Sequence, residues 1–278
     1  MKTLVIYNGP SQMPGPGYGE PIVAFLTAGS NNAKTGPMPT VWIMHAEVDP
    51  WEAVRTGLDA AVCGDCPQRK LAEPGPGGKR LVPQCYTYGN VLRAAGTMLR
   101  AFLKPKSNYL DGTGYSARQL AAYLSACAHF GAAKAIRSCA YGDMASLPPS
   151  VWEKLDAARR HVGLGVRGYT HQWQRAHYLK QTHMASVHDA TGSALAQFEG
   201  WRTFLSNDFT AGFAPPDHVL CPASKEAGHL TNCTQCTLCS GAHRKTAPSV
   251  YIPDHGPNAK GKRLSLFGKE AQGARNLQ

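Results

Sequence analysis

Apolar and polar positions along the chain alternate between short apolar runs and longer amphipathic stretches. Runs rich in β-branched and aromatic residues recur at Thr40–His45, Ala135–Cys139, Gly165–Thr170, Met184–His188, Trp201–Leu205, His218–Cys221 and Ser249–Pro253, the pattern of buried strands. Between them, Ser116–Phe130 places Leu120, Tyr123, Leu124 and Cys127 at three-four spacing behind a possible Ser116 cap, which predicts one helix with a buried stripe. Pro149–Val162 has proline in its first turn and Val151, Trp152, Leu155 and Ala158 on one face, while Trp51–Val62 and Ser193–Phe198 are shorter helical candidates.

Strand followed by helix, repeated, predicts an α/β protein with a mainly parallel sheet, either open and doubly wound or a (β/α) barrel, closed or incomplete. The barrel is the preferred expectation because polar residues collect directly after the strand-like runs. These are Tyr141-Gly142-Asp143, His171-Gln172-Trp173, His188-Asp189, Asn207-Asp208, Cys221 and Asp254-His255, and in α/β folds the carboxyl ends of strands build the ligand site. Residues 1–39, rich in Gly, Pro and Asn, read as an irregular lead-in with an edge hairpin near Ile22–Leu26 at most. Residues 40–256 form the barrel-like, metal-binding body, and residues 257–278, with Lys260, Lys262, Arg263, Lys269 and Arg275, a basic flexible tail.

The chain has 278 residues, 43% of them hydrophobic, which is enough for a large core. Its 29 Lys and Arg against 18 Asp and Glu give a net charge of +11, which favours anionic partners and leaves a nucleic acid on the basic surface open. No run approaches the roughly 18 apolar residues of a membrane span, and the first residues do not resemble a secretory signal. The expectation is a cytoplasmic protein without a membrane partner. A phosphate loop, a Gly-x-Ser-x-Gly elbow and a His-Glu-x-x-His helix are all missing from the sequence.

Nine cysteines in such a chain read as metal ligands or free thiols rather than as a disulfide framework. Cys233, Cys236 and Cys239 stand two residues apart, a spacing that lets one loop aim three thiols at one centre, and Cys221-Pro222 at the end of a strand-like run offers a fourth. Tandem thiolates favour a [4Fe-4S] cluster; zinc is the alternative, with His229 and His243 near enough to replace one cysteine. A second group is Cys63-Gly-Asp-Cys66-Pro with Cys85-Tyr86 beyond a Gly/Pro-rich insert. Three thiolates on a four-iron cluster leave one iron open to substrate or cofactor, whereas a thiol pair or a zinc site completed by histidine needs no such opening. Cys127 and Cys139 fall on a helix stripe and in a strand, as core residues do.

Asn32–Met38, Cys63–Pro67 with Cys85-Tyr86, Tyr141-Gly142-Asp143, Gly168–Trp173, Met184–Val187, Gly200–Phe204 and Cys221–Cys239 together resemble an uncharacterised family of bacteriophages and prophages. That family brings no established activity; it implies the host cytoplasm. More distantly, the thiolate triad ending in Cys-Tyr ahead of a (β/α) series is similar to radical-SAM enzymes, in which three cysteines hold a four-iron cluster whose fourth iron binds S-adenosylmethionine. Those enzymes carry Cys-x-x-x-Cys-x-x-Cys directly after the first strand; here a helix-like segment intervenes and the last gap is longer. The resemblance implies a redox enzyme with a cluster at Cys63, Cys66 and Cys85, and an auxiliary cluster at Cys221, Cys233, Cys236 and Cys239. Gly142 and Asp143 would stand where the methionine amino group is held, with Gln172 and Trp173 beside the cofactor. Tyr141, Asp143, His171, His188, Arg202 and His255 are the candidate catalytic residues: His or Asp to move protons, Arg202 to clamp an anion. The competing expectation is a zinc-stapled nucleic-acid-binding protein of phage replication or defence, with Trp173 and Trp201 stacking on exposed bases. The substrate is not legible.

Overall fold

The computed structural model describes residues 1–29, 34–69, 85–105, 108–131, 133–207, 215, 217–244 and 246–253. Its strands are β1 (Leu4–Pro10), β2 (Pro21–Thr27), β3 (Thr40–His45), β4 (Leu110–Asp111), β5 (Ala135–Arg137), β6 (Gly165–Arg167), β7 (Tyr169–Thr170), β8 (Met184–Val187), β9 (Thr203–Asn207), β10 (His218–Leu220) and β11 (Ser249–Pro253). The α-helices are α1 (Pro50–Thr56), α2 (Ala60–Cys63), α3 (Asn90–Phe102), α4 (Ala117–Gly131), α5 (Pro149–His161) and α6 (Ala190–Phe198).

The helices start where the sequence offers caps. Asp49 accepts from Trp51 N at 3.0 Å ahead of Pro50 in α1, and Asp189 accepts from Gly192 N at 2.6 Å in α6. Ser116 and Gln119 form a reciprocal box before α4, with Ser116 N donating to Gln119 Oε1 at 3.0 Å and Gln119 N to Ser116 Oγ at 3.4 Å. Residues 51–62, expected as one helix, divide at Gly57 (φ +85) into α1 and α2, since that left-handed conformation ends a helix.

One sheet has the order β4-β1-β2-β3-β5-β6 and the other β10-β11-β9-β8-β7. Only β1–β2 and β2–β3 pair antiparallel; the other described pairs are parallel. This is a mixed α/β protein with a mainly parallel sheet and helices. β6 and β7, expected as one strand, are parted by Gly168, where an added Cβ would lie 2.5 Å from Ser138 Oγ and from a ring carbon of His183. That close approach requires glycine.

Residues 1–39 differ from the expected irregular lead-in. β1 and β2 lie inside the six-stranded sheet, and Ile22 to Leu26 are fully buried. A run of apolar residues buried on both faces belongs in a central strand; the Gly and Pro content that suggested irregularity is concentrated in residues 11–20. Phe25 packs against Phe102 at 5.3 Å and Tyr109 at 5.2 Å between ring centroids, so the end of α3 meets β2, while the buried stripe of α3 is Leu92, Ala95, Gly96 and Leu99. The basic tail and His255 lie outside the described residues.

Candidate metal centres

The first cysteine group is built at the carboxyl end of β3. α2 ends at Cys63, and Gly64 (φ +61) turns the chain so closely under Met13 and Gln172 that an added Cβ would lie 2.6 Å from Met13 Sδ. Cys66 N then bonds to Cys63 O at 3.3 Å and Arg69 N to Cys66 O at 3.1 Å, so both thiols sit in one compact turn. Cys85 arrives from the turn before α3, where Tyr88 N donates to Cys85 O at 3.2 Å. The three thiols and the carboxylates of Asp59 and Asp143 act electrostatically on one another. Burial pushes the Cys63 thiol well above its ordinary value, with Asp59, Cys66, Cys85 and Asp143 adding to it. It also pushes Cys66 up to about 12 and raises Cys85.

The polar residues after β5 and β7 hold this turn. Asp143 N bonds to Val62 O at 2.7 Å, and Gly142 (φ +82) lets the chain pass Ile43, whose carbonyl would be 2.7 Å from an added Cβ. The buried Asp143 carboxylate accepts from Ala145 N at 3.0 Å, His171 N at 2.8 Å and Thr170 Oγ1 at 2.9 Å. Gln172 Nε2 reaches back to Cys63 O at 3.3 Å and Asp65 Oδ1 at 2.9 Å. Tyr141 is 3% exposed, and its hydroxyl has no hydrogen-bond partner among the described residues. That hydroxyl lies within electrostatic range of Cys63, Cys85, Asp59 and Tyr88, an orphaned donor beside the thiols.

His171 and His188 stack at 5.1 Å with a 3.1 Å contact between their Nε2 atoms. Such a contact holds one proton, so the two rings do not both carry a charge. Desolvation, and then the neighbouring His188, lower the His171 pKa to about 3. On its other side His188 Nδ1 meets Gln68 Nε2 at 3.2 Å and Ser206 O at 3.3 Å. A donor and an acceptor at that atom suit the two alternative tautomers.

The second cysteine group is drawn from the end of β10 and the loop that follows it. Cys221 follows β10, its N bonded to Tyr251 O at 2.9 Å. Cys233 N bonds to Lys34 O at 2.9 Å and Thr234 Oγ1 to Thr35 O at 3.0 Å, so residues 34–36 clamp the loop. Arg167 Nε donates to Cys233 O at 2.9 Å, and Gly168 N to Cys239 O at 3.3 Å. The four thiols interact with one another electrostatically. Burial raises Cys221 and Cys233, and pushes Cys239 up to about 12 against the hydrogen bond it shares with Tyr169. Cations surround the group: Lys34 acts on Cys221 and Cys233, Arg137 on Cys233, Arg167 on Cys233, Cys236 and Cys239, and Arg202 on Cys239.

All nine cysteines are free. Among the described residues, no three or more His, Cys, Asp and Glu side chains are arranged to hold one metal ion. The donor sets themselves suit soft metals, all-thiolate in the second group and thiolate beside an unpartnered phenol in the first.

The structure thus gathers Tyr141, Gly142, Asp143, His171, Gln172 and His188 round the first cysteine group. Trp173 is 7% exposed and packs in the same core cluster as Tyr141. Arg202, expected to clamp an anion, instead donates to the carbonyls of Ser240, Ala247 and Pro248 and braces the loop behind Cys239. Trp201 is 2% exposed, so neither tryptophan expected to stack on bases is presented to solvent. Arg137 was not singled out by sequence; its signal was register, Arg137 standing beside Arg167 on adjacent parallel strands. Cys127 is buried as expected, and Cys139, half-buried, packs against the core within range of Arg137 and Asp143.

No family model, curated protein or solved structure matches the chain. Among the described residues no helix is long and apolar enough to cross a membrane.

Proposed function

We propose that the protein is a phage-type iron–sulfur protein, a divergent radical-SAM-like redox enzyme with two clusters. Cys63, Cys66 and Cys85 would hold one cluster with an iron left free of protein thiolate, and Cys221, Cys233, Cys236 and Cys239 would hold an auxiliary one. The observation that supports it is convergence: Cys85 joins Cys63 and Cys66, and Cys221 joins the tandem run, each across an intervening stretch of chain. When bound, such clusters supply one-electron chemistry.

The chain's own residues would do the rest. Asp143 positions the backbone of residues 170–172 at the strand ends; Tyr141 offers its unpartnered proton toward the thiols; His171 and His188 hold a proton between their Nε2 atoms at the edge of the site. An incomplete barrel belongs to this reading, the two sheets meeting at Gly168 between β6 and β7. The test is anaerobic reconstitution with a reductant and S-adenosylmethionine. Methionine and 5′-deoxyadenosine are the expected products, and their absence from iron-replete protein removes the S-adenosylmethionine part of the proposal.

A further inference from the structure

Backbone hydrogen bonds pin the segment that carries Tyr141. Ala140 N donates to Val41 O at 2.9 Å, Ile43 N to Tyr141 O at 3.0 Å and Asp143 N to Val62 O at 2.7 Å, which sets Tyr141 between β3 and the residue before Cys63. The side chain is 3% exposed and lies in the core cluster against which Cys63 packs. Its hydroxyl nevertheless has no hydrogen-bond partner among the described residues, and a buried hydroxyl left unpaired carries the full cost of its desolvation. Oxygen acceptors nearby are engaged elsewhere. The Asp143 carboxylate takes hydrogen bonds from Ala145 N, Thr170 Oγ1 and His171 N, and Asp59 is ion-paired with Arg69 at 2.9 Å. Of the titratable groups in electrostatic range of the Tyr141 hydroxyl, Cys63 acts most strongly, ahead of Asp59, Tyr88 and Cys85. The second cysteine group shows the same pairing completed, since there Tyr169 shares a hydrogen bond with the thiol of Cys239.

We propose that the Tyr141 hydroxyl is a sulfur-directed donor, which hydrogen-bonds to the Cys63 thiolate when the first centre is occupied and raises the reduction potential of that centre. The inference deepens the two-cluster reading and rests on it. Hydrogen bonds to the sulfurs are among the features that set the potential of an iron–sulfur centre. The O–H donates and the thiolate accepts; an added electron makes the sulfur a better acceptor, so the reduced state gains more from the bond than the oxidised one. The donor thereby counters the carboxylates of Asp59 and Asp143 beside the same thiols. Tyr141 acts through the thiolate and is a positioning residue.

The test compares wild type and Tyr141→Phe as full chains, each iron-free and after anaerobic reconstitution, with iron and sulfide assayed on every sample. A dithionite titration followed by electron paramagnetic resonance reads the potential of each cluster. The variant should lower the potential of the first cluster by about 59 mV, a tenfold change in a one-electron equilibrium, and leave the second where it was. Urea unfolding of the same samples completes the cycle. Iron-free Tyr141→Phe should match or exceed wild type in stability, because phenylalanine deletes an unpaired buried hydroxyl; with iron bound the order should reverse. A variant that folds normally without iron but takes up only the second cluster also upholds the donor. Unchanged potentials in the loaded variant, or an iron-free variant that unfolds before wild type or fails to fold, overturn the inference and leave the two-cluster reading standing. Wild type that takes up no cluster at the first group removes that reading and the inference with it.

Discussion

Around Cys63, Cys66 and Cys85 the carboxylates of Asp59 and Asp143 press on the thiols, Asp59 being partly offset by its 2.9 Å ion pair with Arg69. Around Cys221, Cys233, Cys236 and Cys239 the charged neighbours are Lys34, Arg137, Arg167 and Arg202. Like charge disfavours a thiolate and opposite charge favours it. On the proposed two-cluster reading, the second environment would suit a closed centre in which four thiolates leave net negative charge. The first suits a centre that keeps positive character, with fewer thiolates and an open coordination position. Local geometry differs in the same sense. The second group is locked between residues 34–36, Arg167 and Gly168, whereas the first hangs on a short turn tied by Asp143 and Gln172.

The largest test of this contrast is Cys233→Ser. It should remove one whole centre and cost several kcal/mol of stability, on the order of what structural metal sites contribute, as read by iron content and urea unfolding. Cys63→Ser should remove the other centre and lower 5′-deoxyadenosine formation about 100-fold or more, with a smaller loss of stability. Equal unfolding midpoints for the two variants would contradict the assignment of structural and open roles.

Two glycines separate the regions without touching a thiol. Gly64→Ala meets Met13 Sδ and Gln172 at φ +61, while Gly36→Ala meets Thr234 Oγ1 at 2.4 Å and φ +72. Each should cost about 1–3 kcal/mol, the first changing only the first centre's spectrum and the second only the other's.

Histidine titration gives the next effect. Burial holds His171 and the fully buried His183 at about 3, so the folded state declines protons that the unfolded chain takes up below about pH 6.5. The contribution is complete above that value and declines as pH falls toward 3. Between about pH 7.5 and about pH 5, His183 alone should account for about 2 kcal/mol. His183→Gln should flatten that part of the urea midpoint profile, and an unchanged slope would contradict it. Smallest is Tyr169→Phe, which deletes the hydrogen bond shared with Cys239 and should weaken metal retention at the second centre about tenfold against a chelator, leaving the first unaffected.

Much of the body could be read from the sequence. Thr40–His45 and Ser249–Pro253 are strands at the expected bounds, and α4 and α5 start within a residue of theirs, because their periodicity and caps are local. β1 and β2 were hidden because the glycines and prolines of the connecting loop masked a fully buried apolar run. Helix α3 was not among the sequence expectations; it is Asn90–Phe102, with Leu92, Ala95, Gly96 and Leu99 buried. At the site, the strand-end residues Tyr141, Asp143, His171 and His188 were legible. The hydrogen bond from Arg137 to Tyr86 was not, since a contact spanning 51 residues of sequence leaves no local pattern. Burial of Trp173 and the bracing role of Arg202 were equally invisible, because both depend on which face of the fold meets which loop.

The most direct measurement of the central claim is iron, acid-labile sulfide and zinc analysis of anaerobically purified wild-type protein beside Cys63→Ser and Cys233→Ser. The account predicts about eight irons and eight sulfides per chain in wild type and about four of each in either variant. Stoichiometric zinc without sulfide, or a single centre lost in both variants, would contradict it.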